Sequence, residues 1–222
     1  MFLVVTGNFN VHEILNAIIE NQNNKEYKKL EKIEIKKYKE PNEVVKEKEI
    51  IKLKTEVPKM SYNIKIPLSN LPTSKKKYNL YLFILFSCLF DDTSYFDDEA
   101  KNENLITSSL YLNLLNCDSH ILVSLINETQ NYDRLLEKIE EQLKNITIKE
   151  SDLERKKRVL ISNEIFSFEN VEIINEMIVD NIIYENEVET NMIDLIKSLN
   201  IDELNKIIEE LDLTNKSIVI LK

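Results

Sequence analysis

The chain has 222 residues, 43% hydrophobic and 31% charged, with a formal net charge of −10. That acidic balance argues against a nucleic-acid partner, because neutralising phosphates needs a basic surface. The single glycine, Gly7, argues equally against nucleotide binding through glycine-rich loops, which need several glycines for close backbone approach. The length suits one large domain or two small ones, and either buries a sizeable core. Two cysteines far apart, Cys88 and Cys117, indicate no disulfide framework and fit a reducing, cytoplasmic setting. No leader with a basic lead and small-residue cleavage site is visible at the N-terminus.

In chain order, Phe2 to Thr6 reads as a short buried strand, and Gly7-Asn8 as its turn. Asn10 with Glu13 makes a capping box for a helix with Val11, Ile14, Leu15, Ile18 and Ile19 on one stripe. Lys25 to Lys48 is a charged surface connection, with an extended piece over Ile33 to Tyr38. Glu49 to Lys54 and Lys59 to Ile66 alternate as strands, the second with Met60, Tyr62, Ile64 and Ile66 on one side. Tyr78 to Phe90 is a dense apolar run, too short for the roughly 20 residues of a bilayer span. It predicts a helix buried on most of its circumference. An acidic segment, Ser94 to Asn104, follows.

Thr107 to Leu115 and His120 to Ile126 then predict an antiparallel hairpin around Asn116 to Ser119. Tyr132 to Leu143 is an amphipathic helix, another begins near Glu150, and a third carries Val171 to Ile182. Asn200 and Glu203 open the last helix, and Ser217 to Leu221 closes the chain as a strand. The expected architecture is α+β: a mostly antiparallel sheet with helices packed on one face, treated as one domain over 1–222.

Residues with chemical potential are sparse. His12-Glu13 opens a His-Glu-x-x-His pattern, but Asn16 stands where the second imidazole must be, so the zinc site is broken. Asp91-Asp92 and Asp97-Asp98-Glu99 suit a hard cation, and suit helix capping and solubility better. Lys75-Lys76-Lys77 and Arg155-Lys156-Lys157-Arg158 read as solvated helix faces. No catalytic, cofactor or metal residue is assigned.

An ordered series of segments resembles a known family. Phe2-Leu-Val-Val-Thr-Gly-Asn-Phe-Asn-Val-His-Glu-Ile-Leu15, Val57-Pro-Lys-Met60, the apolar run, Tyr95 to Ile106, Ser151-Asp-Leu-Glu-Arg-Lys-Lys157 and Ile201-Asp-Glu-Leu204 fall in the order and spacing of the C-terminal half of insulinase/pitrilysin-type zinc peptidases. The series is similar to the smaller bacterial forms, including those linked with translation elongation factor P modification. The resemblance implies the LuxS/mitochondrial-processing-peptidase-like metallohydrolase fold, in which two homologous halves enclose a peptide chamber. Zinc belongs to the other half, on a His-x-x-Glu-His motif that this sequence lacks. The opening strand then fits a fragment of a longer chain.

The resemblance also implies a pair of substrate-anchoring positions, an arginine and a tyrosine in active relatives. Here Ala100 and Thr107 hold those places, with Glu103 between them, and these three are the positions expected to face substrate. Alanine has no donor and threonine lacks the reach of a phenol. The leading expectation is therefore a non-catalytic half that closes the chamber against a zinc-bearing N-terminal half or a homologous partner subunit, with a peptide as the substrate of the whole. The alternative is a scaffolding or inactive partner subunit with no proteolytic role. A third reading, a small-molecule enzyme built on Asp97, Asp98 and His120, belongs to an unrelated class. Neither nucleic acid nor membrane is an expected partner.

Overall fold

The computed structural model describes residues 2–26, 36, 38–69, 71–185, 188 and 190–222. Most of the extended piece read over Ile33 to Tyr38 lies outside those residues. The chain divides into two compact units, one of Met1–Lys39 and Asn163–Asn191, the other of Glu40–Ser162 and Met192–Lys222.

The larger unit is built on a five-stranded sheet. Its strands are β1 (Lys48–Ile51), β2 (Lys59–Pro67), β3 (Tyr111–Asn116), β4 (His120–Glu128) and β5 (Lys216–Leu221), in the spatial order β1-β5-β2-β4-β3. Three pairings are antiparallel, but β1 runs parallel to β5, so the sheet is mixed. The helices around it are α2 (Lys75–Phe90), α3 (Tyr95–Asn102), α4 (Tyr132–Lys144), α7 (Met192–Lys197) and α8 (Ile201–Glu210). Helix α5 (Glu150–Ser167) begins in this unit.

Side-chain alternation sets which face of the sheet is core. Met60, Tyr62, Ile64 and Ile66 of β2, Ile121, Val123 and Leu125 of β4, and Ile218 and Ile220 of β5 are all buried in one cluster. Helix α2 fills it. Tyr81, Leu82, Ile84, Leu85, Phe86 and Phe90 are fully enclosed, and Phe90 meets Phe96 edge-on at 5.0 Å. Leu135, Leu136, Ile139 and Leu143 of α4, and Leu204 and Ile207 of α8, complete the cover. The opposite face carries Ser61, Asn63, Lys65 and Ser124. There Asn63 accepts from the hydroxyls of Ser61 and Ser124 and donates to the Ser217 carbonyl, tying three strands together.

Of the caps in this unit, the Asn200 cap was expected and the Ser74 cap was not. Ser74 accepts from the Lys77 amide at the start of α2, and Asn200 from the Glu203 amide at the start of α8. The Glu203 carboxylate turns instead to Lys77 and the Tyr81 hydroxyl.

Two expectations are corrected here. The strand read over Thr107 to Leu115 starts only at Tyr111. The backbone before it is held as a loop by Asn127, whose amide donates to the Ser108 and Ser109 carbonyls. The basic run in α5 is not simply a solvated face: Lys156 and Lys157 are buried. Lys156 pairs with Asp91 and reaches Thr93, and Lys157 bonds Glu154 and the Leu199 carbonyl.

The smaller unit contains α1 (Val11–Asn23) and α6 (Val171–Glu185). Asn10 caps α1 by accepting from the His12 and Glu13 amides. Phe2 to Thr6, expected as a buried strand, forms no strand, and Phe2, Leu3 and Val5 are exposed. Among the described residues no helix is long and apolar enough to cross a membrane.

Candidate functional site

The acidic segment after α2 folds into the short helix α3. Ser94 caps it by accepting from the Asp97 amide, and Asp97 and Asp98 sit in its first turn, where the helix dipole favours them. Its end is a left-handed stop. Asn104 has φ 55°, its amide donates to the Lys101 carbonyl, and the Leu105 amide reaches back to the Ala100 carbonyl at 2.9 Å. That pair of bonds is a Schellman motif with asparagine in place of the usual glycine.

The loop that follows is pinned from several sides. Lys101 bonds the buried Asp97 at 2.6 Å and the Ser109 hydroxyl at 2.9 Å. The Thr129 hydroxyl donates to the Leu105 carbonyl at 2.6 Å, and Asn131 donates to the Asn104 carbonyl at 3.0 Å. Lys138 of α4 holds Glu99 at 3.1 Å and Glu103 at 2.7 Å. Burial works against its ammonium, yet the Glu103 and Glu99 carboxylates outweigh burial and hold its pKa above the ordinary lysine value. The Lys138 ammonium, then the Tyr95 hydroxyl, holds Glu99 below the usual carboxylate range.

Between this loop, the end of β4 and the start of β3 lies a cleft of about 580 Å³, lined by Asn104, Thr107, Ser109, Tyr111, Ile126 and Gln130 among others. The outer edge of β3 is unpaired within the sheet and runs from the same place. A shallow, mixed polar and apolar cleft beside a free strand edge can hold an extended chain through backbone hydrogen bonds.

The three positions expected to face substrate are placed differently. Thr107 is exposed and lines the cleft, Glu103 is exposed but committed to Lys138, and Ala100 is fully buried in the core of the larger unit. Asp97, Asp98 and His120 form no cluster: Asp97 is paired with Lys101, and His120 sits at the start of β4 beside Ser119. Among the described residues no group of three His, Cys, Asp or Glu side chains could hold a metal ion. His12 is exposed on the first turn of α1. Residue-by-residue reading missed Asn127, Thr129 and Asn131, which shape the cleft. Their only signal was their polar character, between the strand expected over His120 to Ile126 and the helix expected from Tyr132.

Comparison with known proteins places this geometry in context. A family model described as the peptidase M16 inactive domain matches residues 1–160, well over half of the chain. No curated protein matches it. Among solved structures, the chain is similar to an M16-like peptidase from Alicyclobacillus acidocaldarius, with a TM-score of 0.83 at 19% identity over 96% of this chain and 52% of that one. It is similar to a protease from Helicobacter pylori, at 0.80 and 15% identity over 98% and 54%. A chain of complex III from Candida albicans follows at 0.66 and 13%, over 96% and 52%. At these identities the likeness shows the fold. The chain spans about half the length of each of these proteins.

Proposed function

The chain belongs to the peptidase M16 inactive-domain family, and from that premise we propose that it is the non-catalytic half of an M16-type zinc peptidase. In this reading it closes a peptide chamber against a zinc-bearing N-terminal half or homologous partner subunit and contributes walls and interface. The observation that carries it is the whole-chain likeness, over 96–98% of this chain, to peptidases about twice as long. Cleavage chemistry then belongs to the other half, which supplies zinc as a Lewis acid and water activator. This chain's share is binding and enclosure. Thr107 and the cleft beside β3 are its candidate substrate-facing surface, with Ala100 and Thr107 standing where active relatives carry the arginine and tyrosine anchors.

The narrower assignment, to the small bacterial forms linked with elongation factor P modification and working in the cytoplasm, rests on the motif series from Phe2–Leu15 to Ile201–Leu204.

Zinc analysis with a peptide-hydrolysis assay on the purified chain tests the proposal. Neither metal nor cleavage is expected, and stoichiometric zinc together with cleavage overturns it. The likeness to a chain of Candida albicans complex III favours a second reading, a scaffolding or inactive partner subunit with no proteolytic role. Cleavage that depends on both halves together separates the two.

A further inference from the structure

A cavity of about 340 Å³ lies in the larger unit beside the start of β5, and it shares no lining residue with the cleft beside β3. Its size falls at the lower end of small-molecule sites, which run from roughly 300 to 1,000 Å³. Helix α4 contributes Glu140, Leu143 and Lys144 from its last turns, β2 contributes Tyr62, and β5 contributes Lys216. The loop before β5 adds Leu213 and Thr214. That loop is fixed locally. The Thr214 amide and hydroxyl both donate to the Asp212 carboxylate, at 2.9 and 2.6 Å, and the Lys216 amide donates to the Thr214 carbonyl at 2.9 Å. Such a turn sets the wall in place before any ligand arrives.

The lining divides by chemistry. Tyr62, Leu143 and Leu213 give it an apolar surface. Four charged residues complete it, and two of them satisfy each other: Lys216 pairs with Glu140, and its ammonium lies 5.6 Å from the centre of the Tyr62 ring. Burial works against that ammonium, yet Glu140 and Tyr62 outweigh it and hold the Lys216 pKa above the ordinary lysine value. The other two, Glu47 and Lys144, are exposed, and among the described residues neither enters an ion pair. The cavity therefore offers one carboxylate and one ammonium beside an apolar surface, and its lining charges cancel. A ligand of one charge, such as a phosphate or a polyamine, is attracted by one group and repelled by the other. A ligand carrying both charges satisfies both.

We propose that this cavity binds a small zwitterion with an apolar side chain, an amino acid or a short peptide with both ends free. Its ammonium is received by Glu47, its carboxylate by Lys144, and its side chain by Tyr62, Leu143 and Leu213. The proposal stands on the cavity and does not depend on the half-peptidase reading. Where that reading holds, the ligand is also the class of molecule that peptide hydrolysis releases.

Titration of leucine and of leucyl-leucine into the complete chain, followed by two-dimensional NMR, tests it. Resonances of Tyr62, Leu143, Thr214 and Lys216 should shift and saturate, with a Kd of about 1 mM or below for the tighter of the two. Which one is tighter tells amino acid from peptide. The N-acetylated form of that ligand lacks the ammonium and its amide lacks the carboxylate, and each should bind about tenfold or more weakly. Glu47→Gln and Lys144→Gln should each weaken binding of the free ligand by a similar factor. Both positions are exposed, so the thermal midpoint should not move. Shifts confined to other residues, no saturation up to about 10 mM, blocked forms that bind as well as the free ligand, or variants that bind as well as the wild type overturn the proposal.

Discussion

Ala100 shows how one residue narrows the candidate site. Its methyl is fully buried in the main core, so an arginine placed there has no room and no partner for its charge. Ala100→Arg is expected to cost about 3 kcal/mol or more, through overpacking and a desolvated cation, without adding a substrate anchor. Urea unfolding of the variant reads this directly. Lys156 and Asp91 give a second residue-scale test. Burial pushes the Asp91 carboxyl up, but the Lys156 ammonium and the Thr93 hydroxyl and amide outweigh it and leave the pKa below the ordinary value. A depressed folded pKa contributes stability above the unfolded value and loses it as pH falls through the folded one. The wild type should therefore lose stability below about pH 4 more steeply than Asp91→Asn, as urea midpoints at pH 7 and pH 3 would show. At neutral pH, Lys156→Met should cost about 2–3 kcal/mol, because the half-buried carboxylate is left without its cation. Cys88 offers a chemical check. Burial pushes its thiol up to about 11, so iodoacetamide at pH 8 should modify it at least about tenfold more slowly than in the urea-unfolded chain, read by mass spectrometry.

At the scale of elements, α3 is a short helix whose stop matters more than its length. Asn104 at φ 55° allows the turn that hands the chain to the cleft loop. Asn104→Ala should cost about 1 kcal/mol, because a β-carbon is strained in the left-handed region, while Asn104→Gly should be neutral or slightly stabilising. Thermal unfolding of the two variants side by side separates the backbone effect from loss of the side chain. Elements of this kind divide by how local their cause is. Helix α4 and strand β2 were legible because periodicity alone fixes them, α2 because its dense apolar run is too short for a membrane and long enough for a buried helix, and α1 and α8 because Asn10 and Asn200 announce their starts. The parallel pairing of β1 with β5 was not legible, since its register joins Lys48 to Ile218 across most of the chain. Nor was the burial of Lys156, because its partner Asp91 lies 65 residues away and a basic run by itself reads as surface. Thr107 to Leu110 looked like strand because its side chains suit one. Asn127 and Lys101 take up its backbone and its Ser109 hydroxyl instead, and the β3 ladder begins only beyond them. Of the three candidate positions, Thr107 and Glu103 are exposed and face solvent. Ala100 is buried instead, and spacing along the chain says nothing of which side of α3 faces the core.

At the scale of the molecule, the larger unit has a complete sheet and a filled core, while the smaller one exposes an apolar strand-like segment and an apolar helix stripe. The chain spans about half the length of the peptidases it is similar to, and in the proposed account the missing chemistry comes from the other half. The rate of hydrolysis of an unstructured peptide by the zinc-bearing half, measured while this chain is titrated in, tests that account most directly. A rate that rises and saturates at one chain per zinc-bearing half, with no cleavage by this chain alone, is the predicted result. A rate that stays flat while the two halves form a complex, or cleavage by this chain alone with bound zinc, would contradict it.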